Sequence, residues 1–144
     1  MKKLLLVLAG FSIISCSYQD SSTVFGTVLP MGTKIDAKFD SGVSLFKNIT
    51  PSEPTTISIN VIDNKLTDCK AITSAYPDFA SNRIMMRVNK INCGGRNIAL
   101  QAYVIGNDGR AGVPNMGTTK GQIDITHGTT VKIITMNTIN IESH

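Results

Sequence analysis

Short runs in which apolar and polar residues alternate recur along most of the chain. Between Ile35 and Phe39, every second residue is apolar and the residues between them are Asp36 and Lys38. A period of two is the pattern of a strand with one buried face. The same pattern, or a short apolar run, predicts strands over residues 24–29, 33–39, 43–46, 55–62, 65–73, 84–91, 98–105, 122–126 and 129–141. No run has a helical period, so the pattern predicts an all-β fold, a small β-barrel or sandwich of about eight to ten strands.

Segments rich in glycine, proline, asparagine and aspartate separate these runs. Residues 76–82 (YPDFASN) predict an irregular or single-turn connection, and residues 113–121 predict a loop. Residues 106–109 (GNDG) predict a tight turn, because Asn, Asp and Gly tolerate positive φ. We find no internal repeat and no second domain boundary, so residues 24–144 are interpreted as one β-domain.

The composition agrees with strands and limits the function. Isoleucine, valine and threonine are abundant, and these β-branched residues fit a pleated sheet. The formal net charge is +4, but Lys2 and Lys3 lie in a leader segment and the other basic residues are spread out. Nucleic-acid binding requires a concentrated basic face. We therefore expect no nucleic-acid partner.

The first residues have the layout of a secretory signal peptide. Two lysines precede an apolar run over residues 4–14, which is too short to cross a bilayer as a helix. The run leads into Ile13-Ile14-Ser15-Cys16, which resembles a bacterial lipobox. The resemblance implies that residues 1–15 are a lipoprotein signal peptide, and that Cys16 is acylated after cleavage. An ordinary signal peptide whose cysteine falls near the cleavage site is the alternative.

Residues 16–23 are interpreted as the lipid attachment followed by a flexible polar tether. Several acyl chains form a durable anchor, because each buried methylene contributes about 0.8 kcal/mol. Ser17 follows the cysteine, where bacterial lipoproteins retained in the inner membrane usually have aspartate. Serine there predicts the outer membrane, with the β-domain facing the periplasm.

Cys69 and Cys93 remain as a pair once Cys16 is assigned to lipid attachment. An exported chain folds in an oxidising compartment, where an even pair predicts a disulfide. A metal pair and a redox pair are the competing interpretations. A metal site would need more ligands, and a redox pair is usually C-x-x-C.

The stretch from Cys69 to Gly112 resembles the TraB family of conjugative type IV secretion proteins. The periplasmic β-domain of that family has a cysteine, an aromatic-Gly-Asp-x-Ser-Ser-x-Arg segment, a basic strand, a second cysteine and a G-x-D-G-x-x-G turn. The matching residues here are Cys69, Tyr76, Asp78, Ser81, Arg83, Arg87, Cys93, Gly106, Asp108, Gly109 and Gly112. The resemblance implies a β-domain that belongs to an envelope-spanning channel.

The chain also departs from the family. Pro77 stands where the family commonly has glycine. The inner-membrane helix, the proline-rich stalk and the helical hairpin that enters the outer membrane have no counterpart, and residues 113–121 stand where the hairpin would begin. The resemblance therefore implies the β-domain alone and not the channel-forming part.

Asp78, Arg83 and Arg87 are the candidate charged residues of this stretch. We expect Asp78 to cap the turn by accepting backbone N–H bonds, with Arg83 or Arg87 paired to it. This interpretation makes Tyr76, Asp78, Ser81, Arg83 and Arg87 loop-fixing residues. An arginine could instead bind a carboxylate on a neighbouring subunit, which would make these residues an interface.

Catalysis is not expected from this sequence. Ser81 has no nearby histidine or lysine base, and no nucleophile-elbow pattern occurs. His127 and His144 are remote from the cysteines, so we expect neither a metal nor a cofactor. The first functional hypothesis is a lipid-anchored structural subunit of a secretion, conjugation or pilus complex, which could form a homo-oligomeric ring. The alternatives are a monomeric accessory lipoprotein (a pilot, an inhibitor or an exclusion factor) and a ligand-binding β-domain.

Overall fold

Strands and turns make up the described part of the chain, residues 27–141 of the computed structural model, and no helix occurs there. The eleven strands of this part are β1 (Thr27–Leu29), β2 (Lys34–Lys38), β3 (Val43–Phe46), β4 (Thr55–Val61), β5 (Cys69–Asp78), β6 (Arg83–Cys93), β7 (Arg96–Ile105), β8 (Val113–Pro114), β9 (Gln122–Ile125), β10 (Thr130–Thr135) and β11 (Ile139–Ile141). The predicted all-β class is confirmed. The predicted signal peptide, the lipid attachment at Cys16, the tether and residues 24–26 lie outside the described residues.

Six of these strands close into an antiparallel barrel. The strand order is β5-β4-β2-β10-β7-β6, and β6 pairs back onto β5. Each ring strand therefore has a paired neighbour on both sides, although β2 and β4 pair at only two positions, and this pairing limits edge-to-edge association. The sequence left open a small β-barrel or a sandwich, and the structure shows the barrel.

The inward face of the barrel holds the apolar half of the alternating pattern. On β2 and β10 the pattern is regular, with buried residues at every second position. Fully or almost fully buried inward residues are Ile35, Ala37, Ile59, Ala71, Ala75, Ile84, Val88, Ala102, Val104, Val131 and Ile133. Small alanines alternate with branched side chains, which allows opposite strands to interdigitate across a narrow interior.

Three shorter pairings lie outside the six-strand ring. β8 pairs with Arg83 and Ile84 of β6. β3 and β9 form a two-stranded sheet, and β1 and β11 form another. The chain divides into two compact units, and the larger, Pro30–Ile139, contains the barrel together with β3 and β9. The smaller contains, among the described residues, β1 together with Asn140 and Ile141 of β11.

The structure corrects three predicted boundaries. Tyr76–Asp78 continue β5 instead of starting an irregular connection. Val113 and Pro114 form β8 instead of a loop. Residues 129–141 form two strands, because the chain leaves β10 after Thr135 and the backbone N–H of Met136 bonds to the carbonyl of Gln101.

Candidate functional site

A disulfide joins the strands that carry the candidate residues. Cys69 opens β5 and Cys93 ends β6, and the two residues are direct partners in the register of the pair. Their Sγ atoms are 2.01 Å apart and their Cα atoms 4.1 Å apart. The predicted disulfide is confirmed, and the metal and redox alternatives are not needed to explain the pair. The bridge closes the end of the β5–β6 hairpin opposite to its turn.

The β5–β6 turn is organised by Asp78. Its carboxylate accepts the backbone N–H of Ala80 at 3.2 Å and the hydroxyl of Ser81 at 2.9 Å. Asn82 follows with φ of 59°, a left-handed conformation that asparagine tolerates. Asp78 thus lies where the sequence placed it, at the cap of a turn, but its carboxylate forms no ion pair with another described residue.

Arg83 points away from Asp78 and is held by the loop that connects β7 to β8. Its two terminal nitrogens donate to the carboxylate of Asp108 at 2.8 and 3.0 Å. Its Nε donates to the carbonyl of Ala111 at 2.7 Å, and Nη2 also donates to the carbonyls of Arg110 and Gly112 at 3.0 and 2.8 Å. The expected partnership with Asp78 is therefore wrong for this arginine, because the loop reaches the guanidinium and encloses it.

The burial of Arg83 explains why the loop takes this shape. The arginine has the same parity on β6 as the outward residues Met85 and Arg87, yet its side chain is only 6% exposed. A buried guanidinium must have its N–H donors satisfied. The loop supplies one carboxylate and three carbonyls as acceptors, so it encloses the guanidinium of Arg83 and satisfies its donors.

Two glycines of the G-x-D-G-x-x-G pattern lie where the chain approaches closely, and the approach is tighter at Gly112 than at Gly106. A Cβ on Gly106 would lie 3.1 Å from Oδ1 of Asp108 and 3.2 Å from Nη2 of Arg83. A Cβ on Gly112 would lie 2.7 Å from the carbonyl oxygen of Ile84, and Gly112 has φ of +79°. Gly109, also at positive φ, has open space around it and serves the turn itself. All four predicted turn residues therefore have a local structural reason to be present.

Asp108 is the acidic group whose ionisation is coupled to this loop. The hydrogen bond from Arg83, followed by the backbone N–H of Arg110, lowers the pKa of Asp108 from 3.8 to about 2. The carboxylate is 40% exposed, so solvent screens the pair on one side. The ionised form of Asp108 is thus the form that the folded loop favours.

The lowered pKa of Asp108 predicts a pH dependence of stability. A depressed carboxylate pKa stabilises the fold fully above its unfolded value of about 4 and loses this contribution as the pH falls through about 2. We expect Asp108→Asn to be less stable than the wild type above pH 4, and the difference to shrink between about pH 4 and pH 2. Urea unfolding of both proteins across this range measures it. A difference that stays constant down to pH 2 would contradict the assignment.

Arg87 lies on the outward face of β6. Its side chain forms no hydrogen bond or ion pair with the described residues of the β7–β8 loop. It stands between Ser74 of β5 and Tyr103 of β7 in the sheet register. The ion pairs among residues 27–141 are Arg83–Asp108 and Lys132–Asp36, so Arg87 pairs with no described carboxylate. The structure therefore separates the two arginines that the sequence grouped, one enclosed and one presented outward.

An open groove of about 460 Å³ lies beside Arg87 on the outer face of β5 and β6. Tyr76, the partner of Met85 in the register, contributes to the same groove. Its other side is formed by Pro51 and Pro54 from the connection between β3 and β4. In the sequence, both prolines lie in the interval between the predicted strands 43–46 and 55–62. A pair of prolines just before a strand was the available signal, but it did not specify which face the loop would cover.

Asn115 is a further residue that the sequence did not single out. Its side-chain Nδ2 donates to Oδ1 of Asn82 at 3.0 Å. Its own Oδ1 accepts the backbone N–H groups of Gly117 and Asp124, both at 2.9 Å. Asn115 thus ties the β5–β6 turn to β9, and together with the Arg83 loop it fixes this end of β6.

Comparison with known proteins adds no family assignment, since the chain matches no protein-family model and no curated protein. Among residues 27–141, no group of three or more histidine, cysteine, aspartate or glutamate residues is placed to hold a metal ion. The same residues include no helix long and apolar enough to span a membrane.

Proposed function

We propose that the chain is a lipid-anchored structural subunit of an envelope-spanning secretion, conjugation or pilus complex. It acts through protein–protein contacts made by its β-barrel, and it is not an enzyme. The observation that carries the proposal is the different environment of the two arginines. The loop encloses Arg83, whereas Arg87 faces outward and has no acidic partner in the described chain. Arg83 holds the β7–β8 loop, and Arg87 is left to contact a neighbouring protein.

The resemblance to the TraB family supports the same conclusion. The enclosed Arg83 and four residues of its loop (Gly106, Asp108, Gly109 and Gly112) belong to the matched pattern. A structural subunit requires a rigid element that presents fixed surfaces. The closed barrel, the disulfide and the Arg83 loop supply that rigidity.

The barrel restricts how such a subunit would meet its neighbours. Each of its six ring strands pairs with a ring strand on both sides, although β2 and β4 pair only at Ala37–Val61 and Lys38–Asn60. Contacts through the paired stretches therefore involve side chains of the outer face, not the addition of a strand. Tyr76, Arg87 and Tyr103 belong to this outer face and are residue types enriched at protein interfaces.

Fractionation of cells that carry the natural system tests the proposal. We expect the wild type in the outer-membrane fraction, within a large detergent-extractable complex on native gels. Cys16→Ser should remain an unlipidated precursor and leave that complex, because the anchor would be lost. Ser22→Ala, which lies in the predicted tether and leaves the lipobox unchanged, is the matched control and should behave as the wild type. A wild-type monomer without a stable partner, or processing of Cys16→Ser as in the wild type, would overturn the proposal.

A monomeric accessory lipoprotein is the second candidate. A ring needs two different complementary surfaces on each subunit, whereas an accessory protein needs one. The groove beside Arg87 is a single surface of this kind, and this is the observation that favours the second candidate. The same native gels distinguish the two, since an accessory protein would migrate with one partner and a ring subunit with many copies of itself.

A further inference from the structure

The groove on the outer face of β5 and β6 has the charge of a site for an anion. Arg87 is the single charged side chain of its lining, and no acidic side chain lines it. The guanidinium is exposed and forms no ion pair with a described carboxylate. Glu53 stands between the two prolines in sequence, but it also forms no ion pair with Arg87. An arginine fork matches the geometry of carboxylates and phosphates, and the carboxylate is the one that protein side chains themselves carry.

The polar lining next to Arg87 suits a peptide backbone. Asn89 is the extra residue of a bulge on β6, because Thr73 pairs with Val88 while Ile72 pairs with Lys90. Bulges redirect side chains at the edges of sites. The Nδ2 of Asn89 donates to the hydroxyl oxygen of Ser74 at 2.7 Å. That bond leaves Oδ1 of Asn89 as an acceptor and the Ser74 hydroxyl as a donor, the two groups that a main-chain N–H and C=O would pair with.

The remaining lining is apolar and held in place. Tyr76 and Met85 lie opposite each other on β5 and β6. Met86, which has the inward parity on β6 and is almost fully buried, borders the groove. The wall that faces them belongs to a closed turn, since the N–H and C=O groups of Thr50 and Glu53 bond to each other at 3.3 and 3.0 Å.

The prolines make this wall a surface for side chains. Pro51 and Pro54 have no N–H, so they offer an incoming chain apolar contact and no ladder hydrogen bonds. A groove of about 460 Å³ is large enough for a few side chains. The groove therefore selects an anionic group at the position of Arg87 and apolar side chains at the walls next to it.

We infer that this groove binds an extended acidic segment of a partner protein. A carboxylate of the segment pairs with Arg87, and an apolar side chain next to it packs between Tyr76, Met85 and the prolines. The inference rests on the proposed function, because it names the chemistry of the contact through which the subunit would assemble. A protein segment is favoured over a free carboxylate since the Ser74–Asn89 pair is placed for main-chain groups.

Selection of peptides from a phage-displayed random library on the purified full chain tests the inference. Arg87→Gln removes the charge, Arg87→Lys keeps the charge without the fork, and Lys65→Gln removes one exposed charge from the β4–β5 connection as the matched control. We expect the selected peptides to combine aspartate or glutamate with an adjacent apolar residue. Their affinity should fall at least about tenfold for Arg87→Gln, fall less for Arg87→Lys, and stay unchanged for Lys65→Gln.

The outcomes separate this inference from the proposed function. Three results would overturn the inference about the groove. They are failure to select any peptide, selection of peptides without acidic residues, and binding of the peptides to Arg87→Gln as tightly as to the wild type. Displacement of the peptides by N-acetylglutamate at the concentration of the peptide itself also overturns it, in favour of a small carboxylate ligand. If peptides bind as expected but fractionation finds no complex, the proposed function fails and the groove stands. If fractionation finds the complex but the peptides bind Arg87→Gln as tightly as the wild type, the inference about the groove fails and the proposed function stands.

Discussion

Arg83→Met is expected to lower the free energy of unfolding by about 2 kcal/mol, although it leaves every apolar core residue in place. The carbonyls of Ala111 and Gly112 lose the donor that Arg83 provides, whereas the carbonyl of Arg110 keeps the backbone N–H of Gly106. A group that loses its partner within the fold costs about 1–3 kcal/mol when water cannot replace it. Because this loop lies at the surface, we take the lower end of that range for each carbonyl.

The ion pair with Asp108 contributes less than the carbonyls do. Asp108 is 40% exposed and regains water when Arg83 is removed, so no uncompensated buried charge remains. Arg83→Lys separates the two contributions, since it keeps the charge and loses the fork. We expect Arg83→Lys to retain less than half of the stability that Arg83 provides, because one ammonium cannot reach all four acceptors.

Urea unfolding at neutral pH measures both variants, and Arg87→Met is the matched control. Arg87 is the same residue type on the same strand, but it is exposed and unpaired within the described chain. Its replacement should change the stability by less than about 0.5 kcal/mol. Equal effects of Arg83→Met and Arg87→Met would contradict the enclosed-arginine interpretation and would place the loop elsewhere.

The alternation of apolar and polar residues predicted most strands because one face of each is buried. It failed where the reason for a strand is not local. Pro77 made residues 76–78 look irregular, yet it lies beyond Ala75, the last residue of β5 that pairs with β4. A proline is tolerated there, since no ladder bond is required on that side. Val113 and Pro114 become a strand only because β7 has left this end of β6.

The candidate site shows the same limit. The sequence could predict that Asp78 caps a turn, because the groups that donate to its carboxylate lie within three residues of it in the chain. It could not predict that Arg83 turns to Asp108, which is 25 residues away in the chain. Arg83 and Arg87 have the same parity on β6, so their different burial is decided by the loop that covers one of them. The groove depends on a turn from a distant connection and is non-local for the same reason.

Loss of the Cys69–Cys93 disulfide is the second large effect that we expect. Reduction, or the double replacement Cys69→Ala with Cys93→Ala, should lower the free energy of unfolding by about 3 kcal/mol. The two residues are direct neighbours in the β5–β6 register and are 24 residues apart in the chain. The native hairpin already holds them together. Most of the effect therefore comes from the unfolded chain, which gains conformational freedom when the bridge is removed.

This origin of the disulfide's effect gives the measurement a second readout. An unfolded chain without the bridge is more expanded, so the denaturant slope of unfolding should rise as the urea midpoint falls. Reduced wild type and the double alanine variant should agree, because both lack the crosslink, and the oxidised wild type is the control for each. Two reactive thiols in the unreduced, unfolded wild type, or an unchanged midpoint on reduction, would contradict the bridge. A lower midpoint with an unchanged slope would instead place the effect in the folded barrel, where loss of the bridge would loosen the end of the hairpin opposite to the Arg83 loop.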